Sequence, residues 1–212
     1  SKRLDEEDAT VTRLGFPRAQ RNGMKPWFIA VGLSESLDAE SELTVKSSTE
    51  AHVFASLGLR PLVGLETFEE QLRIFDGLSP VLQDLLLRDV LERIDEWPSE
   101  IGEVVSAWRV GDEAALARLA REGIDAHPEL DRFYDLLIGD RNRRWVAKLR
   151  PLLEERTHRG ETVLVAVGAL HLAGKDNLVE QLRAAGFRVE AIDQRKPVPR
   201  TEQPVARAGR KG

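Results

Sequence analysis

The chain has 212 residues, 42% of them hydrophobic and 32% charged, with a formal net charge of −5. That composition is ordinary for a globular protein and leaves room for one sizeable domain. It contains no cysteine, which excludes disulfides, thiolate metal sites and cysteine nucleophiles. No apolar run reaches the roughly 20 residues needed to span a bilayer.

The charge is unevenly spread. Residues 195–212 hold six bases and one acid, net +5, so the first 194 residues carry −10. An acidic body argues against nucleic acid as the main partner. The tail is nearly free of apolar residues and reads as disordered. The chain starts at Ser1 rather than Met, so its localisation stays open. It is periplasmic or exported if a signal peptide precedes Ser1, and cytoplasmic otherwise.

The first 24 residues are polar and weakly patterned. Lys25-Pro26-Trp27 then opens an apolar stretch to Leu37 that reads as a helix with Pro26 in its first turn. Ser41–Ser48 reads as a loop or short strand. Arg60–Glu66 is expected to be a short buried strand ending on an acid. Phe68, Leu72 and Phe75 share a helical face, and Ser79-Pro80 is a cap followed by proline at the first helical position. Leu82, Leu85, Leu86, Val90 and Ile94 repeat at helical spacing. Pro98-Ser99 restarts the pattern, and Gly111-Asp112 stops it.

A helix over Ala114–Leu119 ends near Gly123, and His127-Pro128 opens the next. Arg141 to Trp145 lie on a helix that Pro151 must kink or restart and that ends at His158-Arg159-Gly160. The period then changes. Thr162–Val167 and Phe187–Ile192 read as strands flanking a helix marked by Leu178, Val179 and Leu182. The expected fold is therefore α/β. Residues 1–194 form one domain with a small central sheet and a helical insertion over about 67–160.

The stretch Val163–Leu178, VLVAVGALHLAGKDNL, draws the chemistry. A phosphate loop needs four residues between its glycine and Gly-Lys, then Ser or Thr. Here five residues separate Gly168 from Gly174, and Asp176 follows Lys175, so that reading fails. His171 remains, three residues past Gly168 at the end of a β-branched run. A neutral imidazole there could bind a divalent ion or move a proton; spacing alone favours a satisfied core or helix-start histidine. His52, His127 and His158 lack ligand spacing, and no His-Glu-x-x-His occurs.

An ordered set of short motifs adds to this. Gly64-Leu65-Glu66-Thr67-Phe68-Glu69-Glu70-Gln71-Leu72 is followed by Arg141-Asn142 with Trp145 downstream, then by Val167-Gly168-Ala169-Leu170-His171-Leu172-Ala173-Gly174. With Lys25-Pro26-Trp27 and the ending Leu182–Val189, this set resembles the TraB/GumN family, which includes the TIKI proteases, over roughly residues 24–193. The resemblance implies an α/β fold like that of ChaN-like and erythromycin-esterase-like proteins. It also implies a metal-dependent hydrolase site with two Gly-x-x-His motifs, a glutamate and an arginine.

By that resemblance Gly168–His171 is the second Gly-x-x-His motif. His171 would be a metal ligand, with Gly168 in support. Glu66 would be ligand or base, and Arg141, with Asn142 beside it, would stabilise the anionic tetrahedral intermediate. The cofactor implied is a divalent ion, manganese or cobalt, with zinc a third candidate; the substrate implied is a peptide or protein. Other roles stay open. Glu66 could cap the next helix, and Arg141 could sit in an ion pair or orient Glu66.

Two departures stand out. Nothing in residues 1–24 matches the first Gly-x-x-His motif, since Arg13–Arg18 has the glycine but no histidine. Val45–Glu50 lacks the family's Gly-x-Asp. A fragment without its N-terminal strand, or a degenerate member, would account for both, and the fragment is the stronger expectation. It would leave a half-built site and a sheet edge open to pairing, hence a homo-oligomer. The leading function is a metal-dependent hydrolase of peptide bonds. The alternative is a non-catalytic protein that binds or sequesters a peptide or serves envelope polysaccharide formation.

Overall fold

The computed structural model describes residues 2–40, 49–58, 60–126 and 128–192. Ser41–Ser48, His127 and the basic tail from 195 onward lie outside the described residues. The described residues form α1 (Lys2–Arg13), α2 (Arg18–Arg21), α3 (Pro26–Glu40), α4 (Thr49–Leu57), α5 (Phe68–Asp76) and α6 (Pro80–Glu92). They continue as α7 (Trp97–Val110), α8 (Glu113–Ala126), α9 (Asp131–Leu137), α10 (Gly139–His158) and α11 (Leu178–Ala184). Short 3-10 turns lie at Pro128–Leu130 and Ala169–His171.

Local chemistry sets many of these boundaries. Thr67 caps α5 in a reciprocal box with Glu70, each satisfying the other's backbone N–H. The Ser79 hydroxyl accepts from the Leu82 N–H, with Pro80 opening α6. Gly111, in the left-handed region at φ 70°, stops α7. Asn177 caps α11 through the Glu180 N–H.

The main core joins α1, α3 and α6. Val11, Leu14, Ile29, Ala30, Leu33, Leu37, Val90 and Ile94 are buried together. Leu33 is fully buried, and replacing such a residue by alanine typically costs about 2–5 kcal/mol. A Cβ on Gly32 would sit 2.2 Å from Phe16 Cζ, so any larger residue there would have to displace the Phe16 ring. Trp97 Nε1 donates to Asp38 Oδ1 at 2.8 Å, tying α7 to α3. Leu78, Leu130 and Phe133 form a second cluster, and Ala107, Leu116 and Ala173 a third. The third cluster anchors the turn after Gly168 against α7 and α8.

The expected α/β fold is not what the chain adopts. Among the described residues there is no strand and no sheet; the architecture is all-helical. Residues 60–64, 162–168 and 187–192 carry no regular secondary structure. Val163, Val165 and Val167 are half-buried while Leu164 and Ala166 are exposed, so the period of two is real. It reports a segment with one covered face, whereas a strand also needs a neighbour to complete its hydrogen-bond ladder. Arg60–Gly64 is exposed rather than a buried strand. No described helix is long and apolar enough to cross a membrane.

Candidate active site around His171

Helix α10 organises the site. Arg141, Trp145 and Lys148 recur at i, i+4 and i+7, which places them along one side of the helix. That side meets the segment leading into α5. The Arg141 guanidinium grips the Glu66 carboxylate bidentately, with Nε 3.1 Å from Oε2 and Nη2 on Oε1. Both side chains are largely buried. Trp145 Nε1 donates to Glu66 Oε2 at 3.3 Å, and the guanidinium lies over the indole at 4.8 Å. Lys148 Nζ donates to the Leu65 carbonyl at 2.8 Å and pairs with Glu70, holding the chain around Glu66.

Asn142 faces the other way, toward the 3-10 turn that carries His171. Its Oδ1 lies 2.8 Å from His171 Nδ1, and its Nδ2 donates to the Asp176 carbonyl at 2.9 Å. The turn begins at Gly168, whose carbonyl accepts the His171 N–H at 2.9 Å. It is tied down by Gly174, at φ +72° against Ala117, and by Asp176, a non-glycine residue at φ 57°. The Asp176 carbonyl also accepts from Gln181 Nε2 at 2.7 Å.

His171 is buried, with its ring centroid 4.3 Å from that of Trp145. Burial pushes its pKa down to about 4; the Arg141 charge adds to that effect, and Glu66 opposes it. The imidazole is therefore neutral at physiological pH. A neutral ring can accept a proton or a Lewis acid, which an imidazolium cannot.

The structure thus brings together Glu66, Arg141, Asn142 and His171, far apart in sequence. Glu66 does not cap α5, since Thr67 does. Gly168 holds an ordinary φ of −59°, and a Cβ there would meet His171 Cδ2 at 3.8 Å, a normal contact. Trp145, which touches both Glu66 and His171, was part of the motif set but had been given no role at the site, and Asp176 had been weighed only against a phosphate loop. The i, i+4 spacing of Arg141 and Trp145 carried the signal for the first.

Among the described residues the donor set does not fit a divalent ion. Among the described residues no three His, Asp or Glu side chains gather to hold a metal. Both Glu66 oxygens accept from Arg141, and a guanidinium on the same carboxylate opposes a second cation there.

Fold and site together define a helical protein with a neutral, buried histidine beside a glutamate–arginine pair. The chain belongs to the TraB/PrgY/gumN family, whose model matches residues 2–191. It is 26% identical over 151 residues to an uncharacterized protein of Treponema pallidum (strain Nichols), covering 69% of this chain and 44% of that protein. It is also 26% identical over 155 residues to a metalloprotease TIKI homolog of Amphimedon queenslandica, covering 64% of this chain and 30% of the relative. The chain thus spans less than half the length of either relative. No solved structure matches it.

Proposed function

We propose that this chain is a hydrolase acting on peptide bonds, with His171 as its working group. The observation that carries the reading is the state of that residue. It is a buried imidazole packed on Trp145 beside the Glu66–Arg141 pair, and its Nε2 makes no hydrogen bond among the described residues. Membership of a family with a relative named as a metalloprotease homolog supports the choice of reaction.

The chemistry follows from the neighbours. Nε2 takes the proton of a water whose oxygen attacks the scissile carbonyl carbon, and later passes it to the leaving amine as the C–N bond breaks. The Arg141 guanidinium donates to Glu66 and to the Leu137 carbonyl. Its remaining N–H groups are available to an oxyanion, and Glu66 fixes the plane of the guanidinium. Trp145, packed against the His171 imidazole and the Arg141 guanidinium, keeps their spacing.

The test is cleavage of an unbiased peptide mixture, read by mass spectrometry, for the wild type and His171→Gln, with and without added manganese or cobalt. Wild-type products that vanish in the variant support the reading. Peptide binding without cleavage would favour the non-catalytic alternative.

A further inference from the structure

Asn142 is completely buried, and its amide can face only one way. Nδ2 lies 2.9 Å from the Asp176 carbonyl and 3.5 Å from the His171 carbonyl. Carbonyl oxygens only accept, so the nitrogen end of the amide must face them. The oxygen end then faces His171 Nδ1 at 2.8 Å, and it too can only accept. Nδ1 must therefore carry the proton, which leaves the lone pair of the neutral ring on Nε2.

We propose that Asn142 is a positioning residue that holds His171 in the Nδ1–H tautomer, so that Nε2 is its one basic nitrogen. The functional meaning of this lock rests on the reading of His171 as the working group; the lock itself does not. An unconstrained neutral histidine prefers the opposite tautomer, with the proton on Nε2. In that form the lone pair would point at Asn142 and into the protein, and the nitrogen that makes no hydrogen bond among the described residues would have nothing to accept a proton with.

The surroundings brace the amide against turning over. The Asp176 carbonyl receives both Asn142 Nδ2 and Gln181 Nε2. Asp176 holds a left-handed backbone, which costs roughly 1 kcal/mol at a non-glycine residue, and these two donors oppose its relaxation. Asn177 Nδ2 closes the same turn onto the Gly174 carbonyl at 2.7 Å. Trp145 covers the imidazole and limits its rotation. A flipped amide would set two carbonyl oxygens against Oδ1 in a buried place, at a cost comparable to leaving buried polar groups unsatisfied.

The test reads the tautomer directly and needs no substrate. The full chain is labelled with 15N-histidine, and long-range 1H–15N correlations of the imidazoles are recorded near neutral pH. His171 is assigned by the signal lost in His171→Gln. The expected result is Nδ1–H in the wild type and in Asn142→Asp, which keeps an acceptor, and Nε2–H in Asn142→Leu, which has none. Nε2–H in the wild type, or Nδ1–H retained in a folded Asn142→Leu, overturns the proposal. If Asn142→Leu fails to fold by circular dichroism, Asn142→Asp decides at a pH where its imidazole is neutral. Nδ1–H there supports the lock, and Nε2–H overturns it. A His171→Gln variant that still cleaves peptides would sink the hydrolase reading and leave the tautomer result standing.

Discussion

Glu66 and Arg141 are 75 residues apart in sequence and form a bidentate ion pair beside the Trp145 indole. Because both partners are largely buried, removing one leaves the other charge without its counter-ion. Arg141→Met and Glu66→Gln should each destabilise the fold by about 2–4 kcal/mol. The double variant should recover part of that loss, with a coupling of about 1–3 kcal/mol. Urea unfolding of the four proteins measures the cycle. Additive losses would mean that the pair is an incidental surface contact.

His171 makes stability depend on pH in a defined window. Its pKa is lowered from 6.5 to about 4 in the folded chain, mainly by burial, so between those values the unfolded chain binds a proton that the folded chain refuses. The stabilisation is complete above the unfolded value, falls as the pH drops below it, and is gone below the folded one. At roughly 1.4 kcal/mol per pKa unit, the loss is on the order of 3 kcal/mol. Carboxylates titrate nearby, so the informative quantity is the difference between the wild type and His171→Gln. That difference should shrink as the pH falls through the window, and a constant difference would show an exposed, ordinary histidine.

The two glycines flanking His171 should behave oppositely. Gly168→Ala meets only a normal contact at an ordinary φ, so it should be neutral or stabilising by up to about 1 kcal/mol. Gly174→Ala should cost about 1–2 kcal/mol, because φ is +72° and the new methyl would lie 3.3 Å from Ala117 Cβ. Thermal unfolding separates them. Equal losses at both positions would mean that the Gly168 backbone is not as described.

Helices were readable where chemistry marks their ends. The Ser79-Pro80 cap and the Gly111 stop lie where the side chains require them. Helix α1 was not readable, because Val11 and Leu14 are single apolar positions among charges and only their packing on α3 reveals the face. The strands failed for a different reason. The apolar, β-branched run of Thr162–Val167 marks a segment with one covered face, but a sheet is a relation between segments, and no local pattern supplies the partner. The order of Glu66, Arg141 and His171 was legible through family motifs. Their convergence depends on the turn of α10 that aims Arg141 and Trp145 at one segment and Asn142 at another, which sequence spacing only hints at.

The most direct test of the central claim is the specific rate of peptide cleavage by the wild type and by His171→Gln, at neutral pH, with and without added manganese or cobalt. The account predicts cleavage by the wild type and at least a hundredfold loss in the variant, in line with removal of a general base, while circular dichroism shows the fold retained. Cleavage at an unchanged rate by folded His171→Gln would contradict it.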